Sequence, residues 1–156
     1  MPARRRRRRT AARGLVREQQ HTRALTLQGK LEAEIAQLGD PDDVALFLAE
    51  YQIERPSRER VLQLSYDLLG IHSFFTYGED EVRAWPLRKG GTVLEAAGTI
   101  HTDLARGFIR AEVVAYEDFV AAGGSMAEVK ARGKMRLEGR DYVVRDGDMI
   151  LVRFAI

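Results

Sequence analysis

The stretch "IHSFFTYGEDEVRAWPL", residues 71–87, decides the fold because its apolar residues are spaced differently from those before it. Upstream of Gly70, apolar residues recur every three or four positions, as on one face of a helix. From Ile71, β-branched and aromatic residues dominate on both sides of a turn at residues 78–80. This pattern is typical of two strands joined as a hairpin, so the chain changes from helix to sheet at Gly70.

The segment after this hairpin predicts the rest of a small mixed sheet. "TVLEAAGTI" (92–100) predicts a helix capped by Thr92, and "GFIRAEVVAY" (107–116) predicts a third strand. Two short helical pieces around Gly123-Gly124 follow. "DYVV" (141–144) and "MILVRFAI" (149–156) then predict a terminal hairpin around a tight "RDGD" turn. Two hairpins around one helix indicate an α+β fold with the helix across one sheet face.

The segment before Gly70 predicts mainly helices. "ALTL" (24–27) is compatible with a short strand, and an apolar stripe follows it in "KLEAEIAQL" (30–38). Asp40 is a suitable N-cap for the next helix, with Pro41 at its first position. Ser57 is a candidate cap for a third helix, which Gly70 ends.

The charge is divided unevenly along the chain. Residues 1–23 hold nine arginines and one acidic residue, which leaves 16 basic and 22 acidic residues for 24–156. Six adjacent like charges repel one another, so we expect a disordered arm. Such an arm attracts polyanions mostly without reading their sequence, and no DNA specificity is expected. The alternatives are a solvated tail or a misassigned translation start. The candidate nucleic-acid contacts are Arg4, Arg5, Arg6, Arg7, Arg8 and Arg9.

Several classes of function are excluded by what the sequence lacks. It contains no cysteine, hence no disulfide or thiol nucleophile, and no apolar run of the ~18 residues that a membrane span needs. Neither "RKGGTVLEAAG" (88–98) nor "KARGKMR" (130–136) has the order of a phosphate-binding P-loop. His21, His72 and His101 are isolated, so no metal site is predicted. We therefore expect no enzyme activity from the chain alone.

One short run, "IHTDLARGFIR" (100–110), places a histidine, a threonine and an aspartate side by side. A catalytic triad brings its members together from separate elements, whereas the side chains of consecutive residues diverge. We therefore interpret Thr102 and Asp103 as groups that bond local amides after a helix ends, with Gly107 permitting the turn into the next strand.

Three stretches together resemble the C-terminal TGS domain of the YchF-type Obg-like ATPases. They are "FFTYGEDEVRAW" (74–85), "AAGTIHTDLARGFIRAEVVAYEDF" (96–119) and "GKMRLEGRDYVVRDGDMILVRF" (133–154). The helical segment upstream resembles the region that joins the nucleotide-binding domain of this family to its TGS domain. The resemblance implies a β-grasp, ubiquitin-like fold for 71–156, a helical remnant over 24–70, and an arm over 1–23 unlike anything in the family.

The resemblance also carries functional expectations. Family members are cytoplasmic, associate with ribosomes and bind ATP in preference to GTP, with Mg as the metal partner of the nucleotide. Their P-loop, switch segments and base-recognising motif have no counterpart here, so no cofactor is expected for this chain alone. TGS domains elsewhere contact RNA or ligands, which suggests a candidate contact loop of His101, Thr102, Asp103, Arg106 and Arg110.

Two departures from the family pattern stand out. Gln28, Gly29 and Lys30 replace the loop that contacts the nucleotide base in the family, and they are a candidate remnant of it. Pro86 stands where the family has threonine, and because proline lacks a backbone N–H we expect it at a strand end or sheet edge.

Three hypotheses follow. The first is a non-catalytic TGS module that associates with ribosomes or RNA and involves no membrane. The second is the C-terminal part of a split or truncated ATPase that needs a separate P-loop partner to bind and hydrolyse ATP. The third is a remnant without function.

Overall fold

A computed structural model describes residues 22–78 and 81–155. The chain divides between Leu69 and Gly70 into two compact units, called here the N-terminal unit and the C-terminal unit. The arginine run at positions 4–9 and residues 79–80 of the predicted turn lie outside the described residues.

The N-terminal unit contains three helices, α1 (Gly29–Ile35), α2 (Pro41–Glu50) and α3 (Ser57–Leu69). The predicted start of α2 is confirmed, since the Asp42 N–H donates to Asp40 Oδ1 at 2.8 Å and Pro41 is the first helical residue. The strand predicted at 24–27 is wrong. Residues 22–28 have no regular structure, and the described part of this unit offers no strand to pair with them.

The predicted cap of α3 is also wrong. Ser57 is the first helical residue rather than the cap, and both its backbone N–H and its hydroxyl donate to the Glu32 carboxylate. The Ser57 hydroxyl bond is the main cause that lowers the pKa of Glu32. A carboxylate from α1 therefore supplies the negative charge that favours the start of α3.

The C-terminal unit combines strands and helices, with strands at both ends of the unit. It contains β1 (Ile71–Tyr77), β2 (Val82–Arg88), α4 (Val93–Ile100), α5 (Thr102–Arg106), β3 (Phe108–Val114), α6 (Tyr116–Ala121), α7 (Met126–Ala131), β4 (Arg136–Glu138) and β5 (Met149–Phe154). The strands form one sheet in the order β2-β1-β5-β3-β4. β1 and β5 pair in parallel, and the other neighbours pair antiparallel.

Apolar clusters form on both faces of this sheet. The larger cluster joins α4 to the strands, and its buried members include Phe74, Val93, Val113 and Ile150. The smaller one contains buried residues of β3, β5, α7 and the end of α6. Thr92 caps α4 as predicted, in a reciprocal capping box with Glu95. This arrangement confirms the α+β class and the β-grasp fold.

The predicted terminal hairpin is wrong. Residues 141–144 form no strand, and Val143 makes only one bridge, to Thr92. β5 instead lies in the middle of the sheet, between β1 and β3. The reason is that β5 is apolar on both sides: Ile150 belongs to the larger cluster and Met149 to the smaller. The three-residue strand β4 takes the edge position and was not predicted.

The Asp-Gly-Asp run at 146–148 attaches the start of β5 to β1. The Gly147 N–H donates to Ser73 O, and the Phe75 N–H donates to Asp148 O, both at 2.8 Å. Asp146 Oδ1 accepts a further bond from the Ser73 N–H at 3.1 Å. Gly147 has a φ of +82°, a conformation that favours glycine. These contacts hold two strands together that are far apart in sequence.

Pro86 lies in β2, which is an edge strand, as its chemistry predicts. The Lys89 N–H donates to Gly70 O and the Gly78 N–H to Glu81 O, so alternate residues of β2 turn their backbone groups towards β1. By this alternation Pro86 turns towards the free edge. Its missing N–H therefore removes no bond from the sheet.

A buried carboxylate organises the loop before β5. Asp148 is 2% exposed, and its Oδ2 accepts bonds from the Tyr142 hydroxyl and the Arg145 N–H, both at 2.8 Å. Arg136 Nη2 lies 3.7 Å from Asp148 Oδ1 and donates to Tyr142 Oη at 2.9 Å. Burial, followed by the bond to Asp148, raises the pKa of Tyr142 to about 12.

Gly107 lies in the turn between α5 and β3, as predicted, but close packing rather than backbone conformation explains why the residue is glycine. Its φ is −92°, which any residue can adopt. A Cβ added there would lie 2.0 Å from Ala155 O, and the Ala155 N–H donates to Gly107 O at 3.0 Å. Only glycine allows the chain after β5 to approach this closely.

Gly107→Ala should therefore destabilise the protein, because the backbone at Ala155 must move. We expect a loss of about 1–3 kcal/mol in the free energy of unfolding, the usual range for overpacking. Gly139→Ala is the matched control, since no atom lies within 4 Å of its added Cβ. Urea unfolding of both variants measures the difference, and equal stabilities would contradict the close approach.

Stability should also fall as the pH rises from about 10 to about 12, in part through Tyr142. Below pH 10 its hydroxyl is protonated in both folded and unfolded chains. Between the two pKa values only the folded chain keeps the proton, so rising pH favours unfolding. Tyr142→Phe should lose less stability over this interval than the original chain. Chemical denaturation measures the free energy of unfolding of both proteins at each pH. If both lose the same amount over this interval, Tyr142 does not contribute to the loss.

Candidate functional site

The candidate contact loop contains a short helix stabilised by its own side chains. His101 is the N-cap of α5, and its Nδ1 accepts a bond from the Asp103 N–H at 3.2 Å. Arg106 Nη2 donates to Asp103 Oδ1 at 2.8 Å. The cap was predicted at Thr102 and Asp103, but it is the imidazole of His101 that bonds the free amide.

This geometry does not form a catalytic triad. The ring nitrogen of His101 nearest to Asp103 is used by the helix cap, and the side chains of His101 and Arg106 are largely exposed. The hydroxyl of Thr102 makes no described contact with His101. The interpretation of this run as local structure therefore agrees with the positions of these side chains.

The structure places Arg110 in a different setting from His101, Thr102, Asp103 and Arg106. It lies within β3, and its Cα partner across the sheet is Arg153 of β5. Arg153 donates from Nε and Nη2 to Glu112 Oε1 at 3.0 and 2.9 Å. Arg153 and Glu112 were not predicted as site residues, because only the register between β3 and β5 brings them beside Arg110.

The glycine pair at 90–91 does not form a phosphate-binding loop. The Thr92 N–H donates to Glu95 Oε2 at 2.7 Å, and the Glu95 N–H donates to Thr92 Oγ1 at 3.3 Å. The next two amides of α4 are also occupied, since the Val93 N–H donates to Tyr142 O at 2.8 Å and the Leu94 N–H to Arg140 O at 3.4 Å. The amides at the start of α4 are thus all bonded, and a carboxylate lies where a phosphate would have to bind. A wide groove of about 600 Å³ next to it is lined by residues that include Leu87, Arg88 and Glu95.

The candidate remnant of the loop that contacts the nucleotide base in the family, residues 28–30, lies at the start of α1. Gln28 occupies the N-cap position without a side-chain bond, and Gly29 and Lys30 begin the helix. Together with Leu27 and Glu34 they line a shallow cavity of about 350 Å³. Lys30 Nζ lies 3.9 Å from Glu34 Oε1, so its charge is partly balanced. A nucleotide-binding role for these residues stays a prediction.

Metal-binding and membrane-spanning features are not found in the described part of the chain. No group of three or more His, Cys, Asp or Glu side chains there is placed to hold a metal ion. None of its helices is long and apolar enough to cross a membrane.

The chain is similar to known proteins over most of its length. The family model YchF-GTPase_C, described as "Protein of unknown function (DUF933)", matches residues 71–155. The "Ribosome-binding ATPase YchF" of Bacillus subtilis (strain 168) is 47% identical over 137 residues, which cover 88% of this chain and 37% of that protein. The "Obg-like ATPase 1" of Gallus gallus is 50% identical over 105 residues, covering 67% of this chain and 26% of that protein.

The chain is also similar to a solved structure of a YchF protein. The structure of the Schizosaccharomyces pombe YchF GTPase superposes with a TM-score of 0.67 at 27% identity, over 81% of this chain and 33% of that chain. The chain thus spans well under half the length of the relatives it matches, and the part it shares with them is their C-terminal region. The chain therefore belongs to the YchF-type Obg-like ATPase family, of which it carries the C-terminal domain.

Proposed function

We propose that the chain is a non-catalytic binding module that associates with the ribosome or with another RNA-rich partner in the cytoplasm. The observation that carries the proposal is its 47% identity to a protein named "Ribosome-binding ATPase YchF", over a region without a P-loop. Because the phosphate-binding motif is missing from this region, we assign it a role in binding rather than in nucleotide chemistry.

In this proposal the three segments have different roles. The β-grasp domain at 71–156 recognises the partner, and the arm at 1–23 adds electrostatic attraction. Residues 24–70 are the remainder of the junction with a nucleotide-binding domain. Because phosphate contacts release counterions, the affinity contributed by the arm depends on salt.

Co-sedimentation with purified ribosomes across a salt series tests this proposal. If Arg4 to Arg9 each neutralise one phosphate, log K should fall with log salt with a slope of about −5 for a B-form duplex and about −4 for single strands. Changing these six arginines to glutamine should flatten the slope while leaving binding at moderate salt. If the substituted chain no longer sediments, the domain contributes no recognition and the remnant hypothesis replaces the proposal.

The second candidate function is completion of an ATPase by a separately encoded P-loop partner. It is favoured by the N-terminal unit, in which Ile35 is the one buried residue among 22–69. Large apolar side chains of α2, its C-cap Tyr51 and α3 are exposed instead: Leu46, Phe47, Tyr51, Val61, Leu62, Tyr66, Leu68 and Leu69. Exposed apolar surface of this extent marks an interaction site.

Mixing the chain with the separately produced part of the Bacillus subtilis relative that it does not match tests this function. We expect a complex with a higher rate of ATP hydrolysis than that part alone. Leu62→Ser should weaken the complex, whereas Gln63→Ser, the next position on the same helix, should not. Absence of a complex, or equal effects of both substitutions, would exclude this candidate.

A further inference from the structure

A β-bulge in β3 determines where Arg110 points. Phe108 pairs with Phe154 and Arg110 with Arg153, so three residues of β3 oppose two of β5 and Ile109 is the additional one. In a regular strand, residues two apart point to the same face. The bulge breaks this rule, so Phe108 packs into the buried cluster against α4 while Arg110 is exposed on the other face.

Two arginines therefore lie side by side on the sheet face opposite α4. Like charges directly opposite each other on neighbouring strands are destabilising. The Glu112 carboxylate, whose side chain is 17% exposed, balances Arg153, but Arg110 forms no ion pair within the part of the chain that the structure describes. The cluster of Arg110, Arg153 and Glu112 carries a net charge of +1. An excess positive charge held in this position favours an anionic ligand.

Apolar residues continue the same face beyond this cluster. Val82 and Tyr77 are partners across β1 and β2, and Leu151 and Leu137 both lie opposite Glu112. Val82 is 64% exposed and Leu137 is 62% exposed, while Tyr77 is half-buried and its Oη has no hydrogen-bond partner among the described residues. Tyr77 also packs against the smaller buried cluster, so only part of this sheet face is exposed. The open face, defined as these four residues with the cluster, thus combines two arginines with a row of partly exposed apolar side chains.

We infer that the open face binds single-stranded RNA, with Arg110 and Arg153 on a phosphate and the apolar residues against unstacked bases. This inference rests on the proposed function and identifies the form of RNA recognised. Single strands offer both a phosphate and the faces of bases, whereas a duplex hides its bases within the stack. A guanidinium pair suits phosphate because each arginine presents a fork of donors.

Fluorescence anisotropy with a labelled 12-residue oligouridylate tests the inference. The protein is the full chain with Arg4 to Arg9 changed to glutamine, so that the arm does not dominate binding. Arg110→Gln with Arg153→Gln should weaken binding and reduce the magnitude of the salt slope by about 1.4, for two single-strand phosphate contacts. The control is Lys130→Gln with Arg140→Gln, which removes the same charge from exposed positions in α7 and after β4. A self-complementary RNA duplex should bind less tightly than the oligouridylate.

The single variants distinguish ligand binding from a purely structural ion pair. Arg110→Gln removes no described contact, so it should weaken RNA binding without changing stability. Glu112→Gln should strengthen binding, because it removes the one negative charge of the cluster. If Arg110→Gln binds like the original chain, or Glu112→Gln binds more weakly, the inference is wrong.

Co-sedimentation with ribosomes distinguishes failure of the open face as the RNA site from failure of the proposed function. Ribosome binding that is retained by the Arg110 and Arg153 variants would overturn the open face as the RNA site while leaving the proposed function intact. Loss of ribosome binding in the chain with a neutral arm and an intact open face would overturn the proposed function itself.

Discussion

The parallel pairing of β1 with β5 is the constraint on which the rest of the C-terminal unit depends. It joins the first and last strands of the unit, and residues 146–148 fasten it through two backbone bonds and one carboxylate bond to β1. Because β5 has apolar side chains on both sides, it lies between the two buried clusters and contributes side chains to each of them. A change that weakened this pairing would expose both clusters.

The other neighbour of β5 is β3, and this second pairing creates the surface to which we assign RNA binding. Arg153 belongs to β5 and Arg110 to β3, and they become neighbours only because β5 occupies the centre of the sheet. The bulge at Ile109 then directs Arg110 away from the core. A strand arrangement needed for stability thus also determines the electrostatics of the open face, although the side chains involved are not part of the core.

The two units differ in how much of their apolar surface is buried. The C-terminal unit has most of the buried residues, whereas the helices of the N-terminal unit expose many large apolar side chains. In the fission yeast relative, the matched part is one third of a longer chain. The exposed residues of α2 and α3 are therefore the reason to test a separate protein partner, and the open face is the reason to test RNA.

Local signals in the sequence determined the elements whose ends are defined by nearby residues. Asp40 with Pro41, Thr92 with Glu95, and Gly70 predicted helix ends correctly because a cap acts within a few positions. The β1–β2 hairpin was predictable for the same reason, and the family resemblance supplied the β-grasp fold. The tertiary structure alone decided the central position of β5, the edge strand β4, and the pairing of Arg110 with Arg153. These depend on which distant segments bury each other's apolar faces, and hydrophobic burial is not directional along the chain.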